Sequence, residues 1–257
     1  MKKLITLASF VALVMASCTN ETPSGDTNAK GSVAFDLAIQ TEVDDTRANV
    51  SCTTPAAETF DLTIEGVGHT YSKHYATIAE FNEGDNYLNI GNYKATVTAG
   101  SLAEEGYDKA TFVGSADFAV AARELTDVQI TAYIANSLVK VETTEAFNEY
   151  FVGGAKLKLT TAAGNTFDVS AQSEPLFIAP AEFKITGTAT KQAAQSGAEG
   201  TTVTLPEYKL TAPAAQTLYT IKFDVENAGK TTINIILDDT LVDSIEIDEE
   251  LNNNANI

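Results

Sequence analysis

Tryptophan is absent from this 257-residue chain, and cysteine, histidine and methionine occur only twice each. Without tryptophan, an aromatic platform for sugar rings has to be built from tyrosine. Two cysteines make no framework of crosslinks, so packing must hold the fold. The two histidines, His69 and His74, stand five residues apart with Tyr71 between them. On a strand that spacing sends them to opposite faces, away from a shared metal ion. Basic residues number 16 against 35 acidic ones, for a net charge of −19. So acidic a chain does not displace counterions from phosphates, which excludes nucleic acid as a partner. It is not drawn to an anionic bilayer by charge either. No G-x-S-x-G elbow, Walker sequence or dinucleotide glycine fingerprint occurs. No catalytic residue, metal ligand or cofactor is therefore assigned, and the chain reads as a non-enzyme. Long apolar runs are missing but for one at residues 4–15. It is too short to stay in a bilayer as a helix, which takes about 20 residues.

That run has the context of an export signal. Lys2 and Lys3 precede it, and Ala16 and Ser17 follow it, directly before Cys18. A cysteine after small residues looks like a bacterial lipobox, at which a signal peptidase cuts before Cys18 and the thiol carries a diacylglycerol. Residues 1–17 are then a lipoprotein signal peptide, and the lipid on Cys18 is an anchor to the membrane and not a fold element. Residues 18–30, polar and carrying Pro23 and Gly25, read as a tether. Losing Lys2 and Lys3 with the signal takes the net charge from −19 to −21. Charge of this size keeps a surface protein soluble and self-repelling. Cys52, flanked by Ser51 and Thr53 with no basic neighbour, reads as a small buried hydrophobe and not a nucleophile.

Beyond the tether the pattern has a period of two. Val33, Phe35, Leu37, Ile39, Thr41 and Val43 share one parity, and Ala34, Asp36, Ala38, Gln40 and Glu42 the other. This predicts a long half-buried strand over 31–43. Similar alternation runs through Phe60–Ile64, Tyr93–Val97, Val128–Ile134, Val139–Val141, Leu157–Leu159, Phe167–Val169 and Phe183–Ile185. A closing meander carries Tyr219–Val225, Ile233–Leu237 and Leu241–Ile247. Short strands with frequent turns predict an all-β chain of two tandem antiparallel β-sandwich domains, transthyretin-like or Ig-like. The division falls at Ala135-Asn136, giving an N-terminal sandwich over 31–135 and a C-terminal one over 136–257; the alternative is a single extended sandwich. One short helix is expected after the capping residue Thr144. No repeat of fixed period is visible. The acidic C-terminal cluster, from Asp238 to Glu250, reads as a solvated face, because a calcium site needs several oxygens converging on one point.

Three patches, "GSVAFDLAIQTEVDDTRA", "GNYKATVTAG" and "ITAYIANSLVKVETT", together with the lipobox and tether, make the chain similar to fimbrillin-like and related surface lipoproteins of the Bacteroidales type. The resemblance implies anchoring in the outer membrane at the cell surface. It also implies that an arginine-specific protease cuts between Arg47 and Ala48. The cut would release the strand carrying Val33, Phe35, Leu37 and Ile39. The vacated groove would take a donor strand from another subunit, here Leu241 to Ile247, with Ile245 and Ile247 filling pockets. An open groove leaves unpaired backbone groups and apolar pockets, and a donated strand satisfies both. Asp243 interrupts the apolar parity of that donor. The function expected is structural or adhesive, either as a pilus subunit or as a monomeric surface lipoprotein whose first strand stays in place, with homologous subunits or host and bacterial surface ligands as partners. The alternative is a glycan-binding accessory lipoprotein of a nutrient-uptake system.

Overall fold

The computed structural model describes residues 29–43, 48–170, 174–191, 200–224, 231–237 and 240–247, the last two segments by their backbone pairing. The alternation seen in the sequence sets which side of each strand is buried. In β1 (Lys30–Gln40) Val33, Phe35 and Leu37 are buried while Asp36 and Ala38 are exposed. The strand expected over 31–43 breaks at Thr41. Its end, β2 (Glu42–Val43), pairs instead with β3 (Ala48–Asn49). There follow β4 (Asp61–Val67), β5 (Ser72–Tyr75), the helix α1 (Ile78–Glu83), β6 (Tyr87–Asn89) and β7 (Gly91–Ala99). The first half closes with β8 (Gly106–Tyr107), β9 (Phe112–Val120) and β10 (Leu125–Ile134).

Only Ala135 and Asn136 separate β10 from β11 (Ser137–Thr143). Next come α2 (Glu145–Tyr150), β12 (Phe151–Thr161), β13 (Thr166–Asp168), β14 (Leu176–Ile178), β15 (Phe183–Lys191) and β16 (Thr202–Leu210). The described chain ends with β17 (Leu218–Asp224), β18 (Thr231–Leu237) and β19 (Thr240–Ile247). The helix expected after Thr144 is α2, and the Thr144 hydroxyl accepts the Phe147 N–H at 3.1 Å.

The sheets form an all-β, sandwich-like fold in which one strand order occurs twice. The first half reads β5-β4-β7-β9-β10-β1-β6. The second reads β13-β12-β15-β16 in one sheet and β17-β11-β14 within another. Matched position by position, every ladder has the same sense. The ladders are antiparallel except β1 on β10 and β11 on β17, the same place in each half. Where β9 meets β10, three residue pairs make the strands of the first half one seven-stranded sheet. Among the described residues the second half has no such join, and the hairpin β18–β19 lies on β17 instead.

Two apolar clusters follow the halves, with an overlap. The first, around Phe60, Phe81, Tyr93 and Phe112, also takes in Leu138 and Phe177 from the second half. The second, around Phe147, Phe151, Leu159 and Phe183, is drawn wholly from residues after Asn136. The loop before β9 crosses the seam. Its β8 pairs with the outer edge of β14, and the Tyr107 hydroxyl donates to the Asp168 carbonyl at 2.9 Å.

Candidate functional site

The seat of β1 is the place where the sequence pattern and the fold converge. Along one edge β1 runs parallel to β10 in unbroken register, from Ser32 opposite Leu125 to Gln40 opposite Tyr133. Along the other it pairs with β6 only from Lys30 to Ser32. Its inward residues key it in place. Val33 is 0% exposed, Phe35 5% and Leu37 9%, and Ile39 packs half-buried against the same cluster. The Phe35 ring lies 5.1 Å from the Phe81 ring and 5.5 Å, edge-on, from that of Phe118. Burying each such side chain contributes about 1.5–3 kcal/mol.

Beyond Ser32 the helix α1 takes over from β6. Thr77 caps it by accepting the Glu80 N–H at 3.0 Å, and the Glu80 carboxylate accepts the Ala76 N–H at 2.8 Å. Ile78 and Phe81 face the core from this helix. Its next residue, Asn82, bonds the backbone of β1 twice. The Phe35 N–H donates to Asn82 Oδ1 at 3.0 Å, and Asn82 Nδ2 donates to the Phe35 carbonyl at 2.9 Å. The Val33 N–H donates to the Asn86 carbonyl at 2.9 Å. Neither α1 nor Asn82 stood out in the sequence reading. The signal that marks the helix is Thr77-x-x-Glu80 between apolar residues.

The start of β1 is gripped by the turn between β9 and β10. The Arg123 N–H donates to the Lys30 carbonyl at 2.8 Å and the Ser32 N–H to the Glu124 carbonyl at 2.9 Å. So close an approach needs Gly31, where a Cβ would lie 2.3 Å from the Ala121 carbonyl oxygen.

The other sequence-predicted residues sit apart from this seat. Cys18 and Arg47 lie outside the described residues, and Ala48 opens β3 opposite Val43. Leu241, Ile245 and Ile247 are in β19, the outer strand of the six-stranded sheet, opposite Ile236, Ile233 and Thr231. The register of β19 shifts between the partners of Ile235 and Ile236, which are Asp243 and Leu241, so the break in parity coincides with a bulge. The chain thus holds β1 and β19 in different sheets.

Tyr71, Tyr75, Tyr87 and Tyr107 do not assemble a platform. Tyr75 is buried, Tyr71 half-buried, and the Tyr107 hydroxyl is spent on Asp168. Tyr87 is exposed. Burial, with a hydrogen bond to Tyr75, pushes the Tyr71 hydroxyl well above its ordinary range. His69 packs edge-on against Tyr93 at 4.9 Å, and His74 stands 3.9 Å from Asp61. Among the described residues no three His, Cys, Asp or Glu side chains gather where they could share a metal ion. The Cys52 thiol is half-buried against the first core, and burial, then the nearby Asp108 carboxylate, push it up, away from the thiolate. No described helix is long and apolar enough to cross a membrane.

A family model described as "Domain of unknown function (DUF4493)" matches residues 29–253. A comparison with curated proteins finds no match. Among solved structures, the chain is similar to one described as a "putative cell adhesion protein" from Bacteroides eggerthii. The identity is 9% and the TM-score 0.41, covering 82% of this chain and 95% of that one. It is similar to a "putative adhesin" from Bacteroides ovatus, with 10% identity, TM-score 0.36 and coverage of 82% and 94%. It is also similar to a structure described as "putative polysaccharide binding proteins" from Bacteroides thetaiotaomicron, with 10% identity, TM-score 0.35 and coverage of 87% and 100%.

Proposed function

The chain belongs to the family described as Domain of unknown function (DUF4493), and we propose that it is a surface lipoprotein with a structural or adhesive role. In this reading Cys18 carries the lipid that holds it to the outer membrane. Residues 31–135 and 136–257 form two β-sandwich domains, a division supported by the repeated strand order. The chain acts by exchanging β1 for a strand of a second subunit.

The observation that carries the reading is the seat of β1. Val33, Phe35, Leu37 and Ile39 enter it from one parity of one strand. Withdrawing that strand bares four neighbouring apolar pockets and the whole inner edge of β10. A strand of alternating apolar residues would refill both. The hairpin β18–β19 suits the part of donor, since it adds to β17 as an outermost element. Cleavage between Arg47 and Ala48 would leave β1 joined to its body by packing and hydrogen bonds alone.

The test uses soluble protein beginning at residue 19. Arg47 and Arg123 are the only arginines in the chain, so Arg123→Lys leaves a single site for an arginine-specific protease. The cut protein is expected to shed the fragment ending at Arg47 and to form ladders that resist sodium dodecyl sulfate. Cut protein that keeps its fragment and stays monomeric sinks the proposal. For the anchor, Cys18→Ser in the full chain is expected to move the protein from the membrane to the soluble fraction.

A further inference from the structure

To leave its seat, β1 must break the bonds along both of its edges. On one edge they are the ladder with β10. On the other, past Ser32, three bonds are found among the described residues, and two of them come from a single side chain, Asn82. We infer that Asn82 is a positioning residue that governs the release of β1, its side-chain amide standing in for a strand. In an antiparallel ladder, every second residue exchanges a donor and an acceptor with the residue opposite. The primary amide of Asn82 offers the same pair of groups to Phe35. It does so from a helix 47 residues further along the chain.

The manner of opening follows. A paired strand has to be unzipped residue by residue. Asn82 lets go when α1 moves, and α1 has only six residues. So short a helix has almost no stability of its own and depends on its packing and its cap. Its two consecutive residues Phe81 and Asn82 grip one residue of β1, the first by its ring and the second by its backbone. A single shift of α1 therefore frees the middle of β1 from both. The lock regulates the strand exchange proposed above and rests on that reading for its purpose, while its existence can be tested with β1 in place.

The experiment is hydrogen exchange, read by mass spectrometry on uncut protein beginning at residue 19. In Asn82→Ala the peptide covering residues 30–40 is expected to exchange about tenfold faster or more than in the wild type, since two net hydrogen bonds are lost. Peptides from β11 and β17 should not change. Asn82→Asp separates the lock from mere space-filling. Its carboxylate accepts from the Phe35 N–H but cannot donate to the Phe35 carbonyl, so β1 should be loose at pH 7. At about pH 3, below the ordinary aspartate value, the protonated carboxyl donates again and protection should return toward the wild type. Glu80, Glu83 and Asp85 flank Asn82 in the chain, and Asp36 follows Phe35. They are common to both proteins, so each comparison is with the wild type at the same pH. Wild-type exchange of β1 in Asn82→Ala would overturn the inference, as would an Asp variant equally loose at both pH values. Ladder formation after cleavage reports on strand exchange and not on the lock, so the two readings fail separately.

Discussion

The Glu105 carboxylate accepts the Thr161 hydroxyl at 2.6 Å across the seam between the two halves of the chain. It also accepts Asn165 Nδ2 at 2.8 Å and the Ala179 N–H at 3.0 Å. One side chain from the loop of β8 thus meets three donors of the second half, beside the short ladder of β8 on β14. Glu105→Ala leaves these donors without their acceptor, and the half-buried ones do not all regain water. The expected cost is about 1–3 kcal/mol in urea unfolding. Glu104→Ala is the control, because its pairing with Lys109 at 3.6 Å is exposed and worth little. Equal effects of the two substitutions would refute a special part for Glu105 in the seam.

A second tie near the seam responds to acid. The Thr53 N–H and hydroxyl each donate to the Asp108 carboxylate at 2.7 Å. These bonds hold the carboxyl below its ordinary value. A folded-state value lower than the unfolded one gives stability that is present above the unfolded value, about 3.9, and lost as pH falls through the folded one. The group is nearly all in solvent, so the effect is small. Urea midpoints measured from pH 6 downward should fall less steeply below about pH 4 in Asp108→Asn than in the wild type. Parallel curves would show that the tie contributes nothing.

The two sides of β1 differ in what they tolerate. Phe35→Ala removes a ring packed against Phe81 and Phe118 and should cost about 3–5 kcal/mol. Leu37→Ala should cost about 2–5 kcal/mol. Asp36→Ala changes an exposed neighbour and should fall within about 0.5 kcal/mol of the wild type. Chemical denaturation checks the order. A loss at Asp36 as large as at Phe35 would mean that the inward side of the strand has been misassigned.

Much of this was legible in the residues. The parity of Val33, Phe35, Leu37 and Ile39 marks the inward side of β1, and β4, β7, β10, β11 and β17 announce themselves in the same way. Thr144 marks the start of α2. Parity says which face is buried but not which strand lies alongside, so the parallel pairing of β1 with β10 could not be read from it. The repeated strand order is equally silent. It lies in topology: matched strands after the first recur at a nearly even offset, as from Asp61 to Phe151 and from Phe112 to Thr202, but the residues on them do not repeat, so no sequence period shows. The strands β5, β6, β8 and β14 are too short to show alternation, and Gly114 and Ala116 dilute the apolar pattern of β9. The Asn82 lock was invisible for another reason. A side-chain amide that bonds a backbone 47 residues away leaves no mark on either local pattern.

The entry of β1 is held by different means from its middle, and Gly31 tells them apart. A Cβ there would lie 2.3 Å from the Ala121 carbonyl oxygen, 2.9 Å from Val120 Cγ1 and 3.0 Å from the Glu124 carbonyl oxygen. Two of these are backbone atoms of the turn that grips Lys30 and Ser32. Gly31→Ala must therefore lift that turn, and its overpacking should cost about 1–3 kcal/mol. The damage should stay local. Amides at residues 30–32 and 121–124 should exchange faster, while the Phe35 amide, held by Asn82, keeps its protection. Asn82→Ala should give the opposite pattern, loosening Phe35 and sparing the turn. If Gly31→Ala strips protection from Phe35 to the same degree, β1 opens as one piece from its entry, and the turn between β9 and β10, not α1, controls its exit.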